Sequence, residues 1–97
     1  MSQAKRLSGK TAIITGASGT IGAATASVFA EAGANVLLVA RDESKLAAVA
    51  QTMPSNQVSF VAADIATAQG NQLMAETALQ RYGAIDVFYA LAGVTGP

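Results

Sequence analysis

The sequence predicts an α/β half-domain in three layers, a parallel sheet of strand order 3-2-1-4 with helices on both faces. Short β-branched or apolar runs alternate with longer segments whose apolar residues recur at helical spacing, strand then helix three times and then a fourth strand. Such alternation implies parallel strands joined by right-handed helical crossovers. The run Val36-Leu37-Leu38-Val39 is continuous rather than alternating, as a parallel strand covered on both faces requires. Between the first strand and the first helix lies Thr15-Gly16-Ala17-Ser18-Gly19-Thr20-Ile21-Gly22. Strand, glycine turn, helix is the setting in which a glycine-rich stretch binds phosphate.

Taken in order, residues 1–10 form a polar lead-in, with Leu7 the only large apolar side chain after Met1. The first strand is expected at 11–15 and the first helix at 20–32, with Thr20 as its N-cap. Ala24, Val28, Phe29 and Ala32 fall at helical spacing and are expected to face the sheet, and Gly33 ends the helix from the C′ position. The second strand is 35–40. Asp42 caps a second helix over 43–52, whose Leu46, Val49, Ala50 and Met53 form one stripe. Pro54-Ser55-Asn56 breaks the chain before a third strand at 58–62. A third helix over 67–82 places Ala75, Ala78, Leu79 and Tyr82 on one side and stops at Gly83. The fourth strand is 86–91.

Composition narrows the function classes. With 97 residues the chain has room for one small domain. At 52% hydrophobic and 12% charged it is a folded, well-buried chain. A net charge of zero gives no broad attraction to nucleic acid or an acidic membrane. The longest apolar runs, 36–40 and 87–92, are too short to span a bilayer. Met1-Ser2-Gln3-Ala4-Lys5-Arg6 has no apolar core behind its charges, unlike a secretory signal. There is no cysteine, hence no disulfide framework, and no histidine, which leaves a metal only carboxylates. A cytoplasmic protein is the expectation.

The glycine turn carries the chemistry. Glycines let the backbone turn tightly and approach a ligand with no Cβ between. Beyond the turn, the first free N–H groups of the helix meet an anion that the helix dipole also favours. The dipole contributes only about 0.3–1 kcal/mol, so several backbone donors are expected to supply most of the binding, and Gly16, Ser18, Gly19, Thr20, Ile21 and Gly22 are the turn's candidate binding residues. The turn opens toward a crevice between strands 1 and 4, where successive crossovers pass to opposite faces.

At this point the chain resembles the cofactor-binding N-terminal half of the short-chain dehydrogenase/reductase family, a Rossmann-type fold, over nearly all its length from Leu7-Ser8-Gly9-Lys10 to Gly93. The resemblance rests on the Thr15–Gly22 turn, Arg41-Asp42 after strand 2, Asp64 after strand 3, Tyr82-Gly83-x-x-Asp86 into strand 4, and Ala92-Gly93-Val94. It implies a nicotinamide dinucleotide as cofactor, and hydride transfer between it and a carbonyl or alcohol. A ribose with free hydroxyls wants an acidic acceptor at the end of strand 2, and a 2′-phosphate wants a cation. Ala40 and Arg41 hold that place. Arg41 can make paired hydrogen bonds to phosphate, with Ser18 adding a hydroxyl, so NADP is favoured over NAD. The other reading of Arg41 is a solvated cation paired with Asp42 or Glu43. The resemblance further implies that Asp64 accepts from the adenine amine, that Ile65 flanks the ring, and that Ala92 and Gly93 line the ribose side of strand 4. Asp64 can equally cap the turn into helix 3.

Three departures from the family pattern bear on function. Thr20 stands where the family's middle glycine is usual, and Gly19 comes one place earlier; binding then needs the special backbone angle at Gly19. Ala90-Leu91 replaces the usual Asn-Asn before Ala-Gly, which removes an amide from the end of strand 4. The family's general acid/base is a Tyr with a Lys four residues on, but Asp86 and Gly93 follow Tyr82 and Tyr89 at that distance. Neither tyrosine fits the role, and the catalytic group is expected in a further half. Without that half, strand 4 becomes a sheet edge carrying Val87, Phe88, Tyr89 and Leu91, which invites self-association. Three readings stay open: the NADP(H)-binding part of an oxidoreductase, a non-catalytic nucleotide-binding module, and a self-associating folding fragment.

Overall fold

The computed structural model describes residues 6–53 and 57–90. Seven elements alternate along the chain: β1 (Thr11–Thr15), α1 (Thr20–Glu31), β2 (Asn35–Ala40), α2 (Glu43–Gln51), β3 (Val58–Ala62), α3 (Ala68–Tyr82) and β4 (Val87–Tyr89). The strands form one parallel sheet in the order β3-β2-β1-β4, as expected from the sequence. Ile13 lies across from Leu37 on one side and Phe88 on the other, and Leu38 lies across from Phe60.

Strand alternation divides the apolar residues between two cores. Ala12, Ile14, Val36 and Leu38 point to one face, against Ala26 and Phe29 of α1 and Leu46 and Val49 of α2. Ile13, Leu37 and Val39 point to the other, against Met74, Ala78 and Tyr82 of α3. The uninterrupted apolar run of β2 thus supplies both cores at once.

The helix faces differ from the expected ones in a consistent way. On α1, Ala24 and Val28 are exposed, and the line toward the sheet is Gly22 and Ala26, with Phe29 beside it. The helix lies so close to the turn before it that only small residues fit beneath. On α3 the buried line runs Gly70, Met74 and Ala78, ending on Tyr82. Leu79 therefore falls outside it and is exposed. The α2 stripe of Leu46, Val49, Ala50 and Met53 is as expected.

The termini of the elements are tied by specific groups. Asp86 fastens the foot of β4 to β1, its carboxylate accepting from the Thr11 N–H at 2.9 Å and its own N–H donating to the Thr11 carbonyl at 2.9 Å. Tyr82 does the same for α3, with its hydroxyl 2.7 Å from Ser59 Oγ and donating to the carbonyls of Gln57 and Val36. Strand β4 is shorter than the 86–91 expected. Residues from 91 onward lie outside the described residues.

Candidate functional site

The site forms where β1, β2 and β3 end. Gly16 leaves β1 with φ at 67°, a left-handed angle that glycine adopts without strain. The Ala17 N–H then donates to the Val39 carbonyl at 3.2 Å, and the Gly19 N–H turns back to the Gly16 carbonyl at 3.2 Å. These two bonds fix the turn against the end of β2. Two expectations are corrected here. Gly19, not Thr20, is the N-cap of α1; Thr20 is already helical. Gly19 is extended, with φ −91° and ψ 172°, so the special backbone angle falls on Gly16 instead.

With glycine at the N-cap, α1 has no side-chain cap. Its first helical bond is Ala23 N–H to the Gly19 carbonyl at 2.9 Å, so the N–H groups of Thr20, Ile21 and Gly22 have no partner within the helix. Gly22 is buried beneath them. A Cβ there would overlap the Gly16 carbonyl oxygen and stand 2.8 Å from Ala17 Cα. The other two helices finish their own N-termini. Asp42 Oδ1 accepts from the Lys45 N–H at 3.2 Å, and Thr67 Oγ1 accepts from the Gly70 N–H at 2.9 Å.

A cleft of about 390 Å³ opens over these strand ends, within the range of small-ligand sites. Gly16, Ser18, Arg41, Asp64 and Ile65, all expected in the site, line it together. Gly19, Thr20 and Ile21 are exposed on the turn outside its lining, and Ala92 and Gly93 lie outside the described residues. This cleft lies across the ends of β1, β2 and β3; the residues that would close the expected crevice between β1 and β4 from the β4 side lie outside the described residues. Sequence reasoning passed over Lys45, which also lines the cleft. It also passed over Gly70, where a Cβ would overlap the Asp64 carbonyl. The available signals were a cation four residues after Arg41, and a glycine in the first turn of an otherwise regular helix.

The charged residues of the cleft hold distinct arrangements. Asp42 is engaged by the Ser44 hydroxyl at 2.8 Å and the Lys45 N–H. These bonds hold its carboxyl below the ordinary value, the Ser44 bond contributing most. Arg41 is exposed, and among the described residues its guanidinium makes no hydrogen bond or ion pair. Asp64 does cap its turn: Oδ1 accepts from the Ala66 N–H at 2.9 Å, and its carbonyl accepts from the Thr67 N–H and hydroxyl. Its second carboxylate oxygen has no partner among the described residues. The described residues contain no group of three carboxylates that could hold a metal ion, and no helix long and apolar enough to cross a membrane.

A parallel 3-2-1-4 sheet whose first helix opens behind a glycine turn defines the doubly wound, Rossmann-type class of α/β protein. The family model of short chain dehydrogenases matches residues 10–97. An uncharacterized oxidoreductase of Listeria monocytogenes is 40% identical over 87 residues, covering 88% of this chain and 35% of that protein. The C-domain of a bacterial malonyl-CoA reductase, solved with NADP, superposes with a TM-score of 0.86 at 30% identity, over 99% of this chain and 16% of that one. A 3-ketoacyl-(acyl-carrier-protein) reductase of Brucella melitensis, solved with NADH, gives 0.80 at 36% identity, over 84% and 33%. The chain belongs to the short-chain dehydrogenase family. It spans about a third of the length of the Listeria relative, the part homologous to the NAD(P)-binding region.

Proposed function

We propose that this chain binds NADP(H) in the cytoplasm as the cofactor-binding portion of an oxidoreductase, which moves hydride between nicotinamide and a carbonyl or alcohol substrate. The observation that carries the reading is the uncapped N-terminus of α1, set behind Gly16 at a cleft where Arg41 has no protein partner among the described residues. A diphosphate fits that donor set: amides without helical partners, no side chain at Gly19, and a dipole of the favoured sign. Bound cofactor supplies the hydride; the protein's part is to bind and orient.

Similar folds hold either NADP or NADH, so the choice between them rests on residues at the end of β2. The carboxylate next to Arg41 is engaged by Ser44 and the Lys45 amide, which speaks against the simple surface pair and for a cation held available to a 2′-phosphate. Asp64 would then serve two ends, one oxygen on its own turn and one toward adenine, with Ile65 against the ring. The test is titration of intrinsic NADPH and NADH fluorescence. Arg41→Ala should weaken NADPH binding about tenfold or more and NADH little; equal losses would remove the 2′-phosphate assignment.

Acid/base chemistry is assigned to residues outside these 97. Tyr82 spends its hydroxyl on Ser59 and two backbone carbonyls, and Tyr89 has no Lys four residues on. That same observation favours a second reading, a binding module without catalysis of its own. Adding the missing portion of a related reductase in trans and following cofactor oxidation separates the two. The edge strand β4, with Phe88 51% and Tyr89 40% exposed, supports self-association of the chain along that edge.

A further inference from the structure

We infer that Asn71 is a positioning residue for adenine recognition, acting on Asp64 through the peptide unit between Ile65 and Ala66; the inference rests on the reading of Asp64 given above. Asn71 is the fourth residue of α3. It is exposed and stands outside the cleft lining. Its side-chain amide donates to the Ile65 carbonyl at 2.7 Å and to the Thr67 carbonyl at 2.8 Å. Two carbonyl acceptors demand the NH2 end of the amide, with both of its protons in use.

The bond to Ile65 gains its meaning from what shares that peptide plane. The Ile65 carbonyl and the Ala66 N–H belong to one planar unit and can only turn together. Asn71 holds the carbonyl end. Asp64 Oδ1 holds the N–H end at 2.9 Å. A relay therefore runs from the Asn71 amide, through one peptide plane, to one oxygen of Asp64. Hydrogen bonds in such a series polarise and strengthen one another. The second carboxylate oxygen has no partner among the described residues, at a cleft that Asp64 lines.

The other contacts of this turn hold different atoms. The Asp64 carbonyl accepts from the Thr67 N–H and hydroxyl, and Gly70 presses on the Asp64 backbone. The Ile65 side chain packs on the core beneath α3. These fix the Asp64 main chain and the Ile65 side chain. Among the described residues Asn71 is the only side chain bonded to the Ile65 carbonyl. Without it the 65–66 peptide can rock, and the Asp64 carboxylate rocks with it. Adenine presents an amine donor where hypoxanthine presents a carbonyl oxygen. A fixed carboxylate oxygen accepts from the first and repels the second, so Asn71 acts on the preference between those two bases.

The probes are NADH and reduced nicotinamide hypoxanthine dinucleotide, titrated by their own fluorescence into the 97-residue chain. They differ only at the base, and neither carries a 2′-phosphate, so the test is independent of Arg41. The wild type should prefer NADH. Asn71→Ala should weaken NADH about three- to tenfold and change the hypoxanthine analogue by less than about twofold. Asn71→Asp keeps the shape but sets carboxylate oxygens against two carbonyls, and should lose the preference to the same extent. An acid in the first turn of α3 suits the helix dipole, so that loss is not a loss of helix. In both variants, without ligand, the Ala66 amide should exchange with solvent faster than in the wild type. Equal weakening of the two probes overturns the inference and leaves Asn71 a support of the fold. A wild-type preference that survives in both variants also overturns it, with the Asp64 reading left standing. A wild type that binds the two probes alike removes the Asp64 reading, and the inference with it.

Discussion

At the β3–α3 turn the chain satisfies its own polar groups, and at the β1–α1 turn it does not. The two turns share a plan. Each leaves a strand end and starts a helix at an N-cap, with a glycine three residues later pressed onto the turn's own backbone. Gly70 lies against Asp64, and Gly22 against Gly16 and Ala17. The difference is one side chain. At α3 the N-cap is Thr67, whose hydroxyl accepts from the Gly70 N–H and donates to the Asp64 carbonyl. At α1 the N-cap is Gly19, and the corresponding Gly22 N–H has no such oxygen. A helix start of the first kind is finished; one of the second kind is completed by a ligand's oxygens. The same local architecture therefore serves stability in one place and recognition in the other.

The strongest test breaks what the two turns share. Gly22→Ala and Gly70→Ala each force a methyl onto backbone that cannot move far: Ala17 Cα at 2.8 Å in one case, the Asp64 carbonyl carbon at 2.6 Å in the other. Each should lower stability by about 1–3 kcal/mol through overpacking, measured by urea unfolding. Similar losses at both sites sharpen the parallel. A harmless Gly22→Ala would mean that α1 does not sit on its turn as closely as α3 does.

A smaller effect exchanges the feature that separates them. Thr67→Ala removes the α3 cap and should lower stability by about 1 kcal/mol. Gly19→Ser supplies α1 with the oxygen it lacks. Its backbone is extended, and a Cβ there meets nothing closer than the Gly16 carbonyl at 3.7 Å, so serine fits. It should raise stability by about a few tenths of a kcal/mol while weakening NADPH binding, because the new hydroxyl competes for the amides. Stability and affinity moving in opposite directions is the signature of a start left open for a ligand. If both rise, the amides of α1 are not the diphosphate site.

Much of this was legible beforehand, and what was not has a physical pattern. The strands were readable because β2 needs apolar residues on both faces, and Val36-Leu37-Leu38-Val39 shows them without interruption. Gly16, Ser18, Arg41, Asp64 and Ile65 were readable as a group because parallel strands bring their C-terminal ends together. The helix faces were read from apolar residues at helical spacing, which put Ala24 and Val28 toward the sheet, yet α1 docks through Gly22 and Ala26, whose importance is their smallness and leaves no mark in hydrophobic periodicity. Spacing placed the special backbone angle on Gly19, one glycine too late; the positive φ of Gly16 and the extended backbone of Gly19 show that the chain turns at Gly16. Lys45 was passed over because a cation in the first turn of a helix looks like ordinary solvated surface until the cleft beside it is seen.

The β2–α2 turn lies between the two extremes: capped by its own side chain, yet lining the cleft. Its cap can be switched off by acid. The Asp42 carboxyl is held below its ordinary value of 3.8, first by the Ser44 hydroxyl and then by the Lys45 amide. A depressed folded value means that the cap's contribution is fully present above 3.8 and fades as pH falls through the lowered folded value. Hydrogen exchange at the first amides of α2 should therefore quicken relative to those of α3 in that acid range, since Thr67 does not titrate. Asp42→Asn keeps a capping oxygen and loses the titration, so the acid step at α2 should vanish in that variant. The same substitution removes a negative charge from the cleft and should tighten 2′,5′-ADP slightly at neutral pH. An acid step that persists in Asp42→Asn would place its origin in another group of α2, and the turn would then belong with the finished kind.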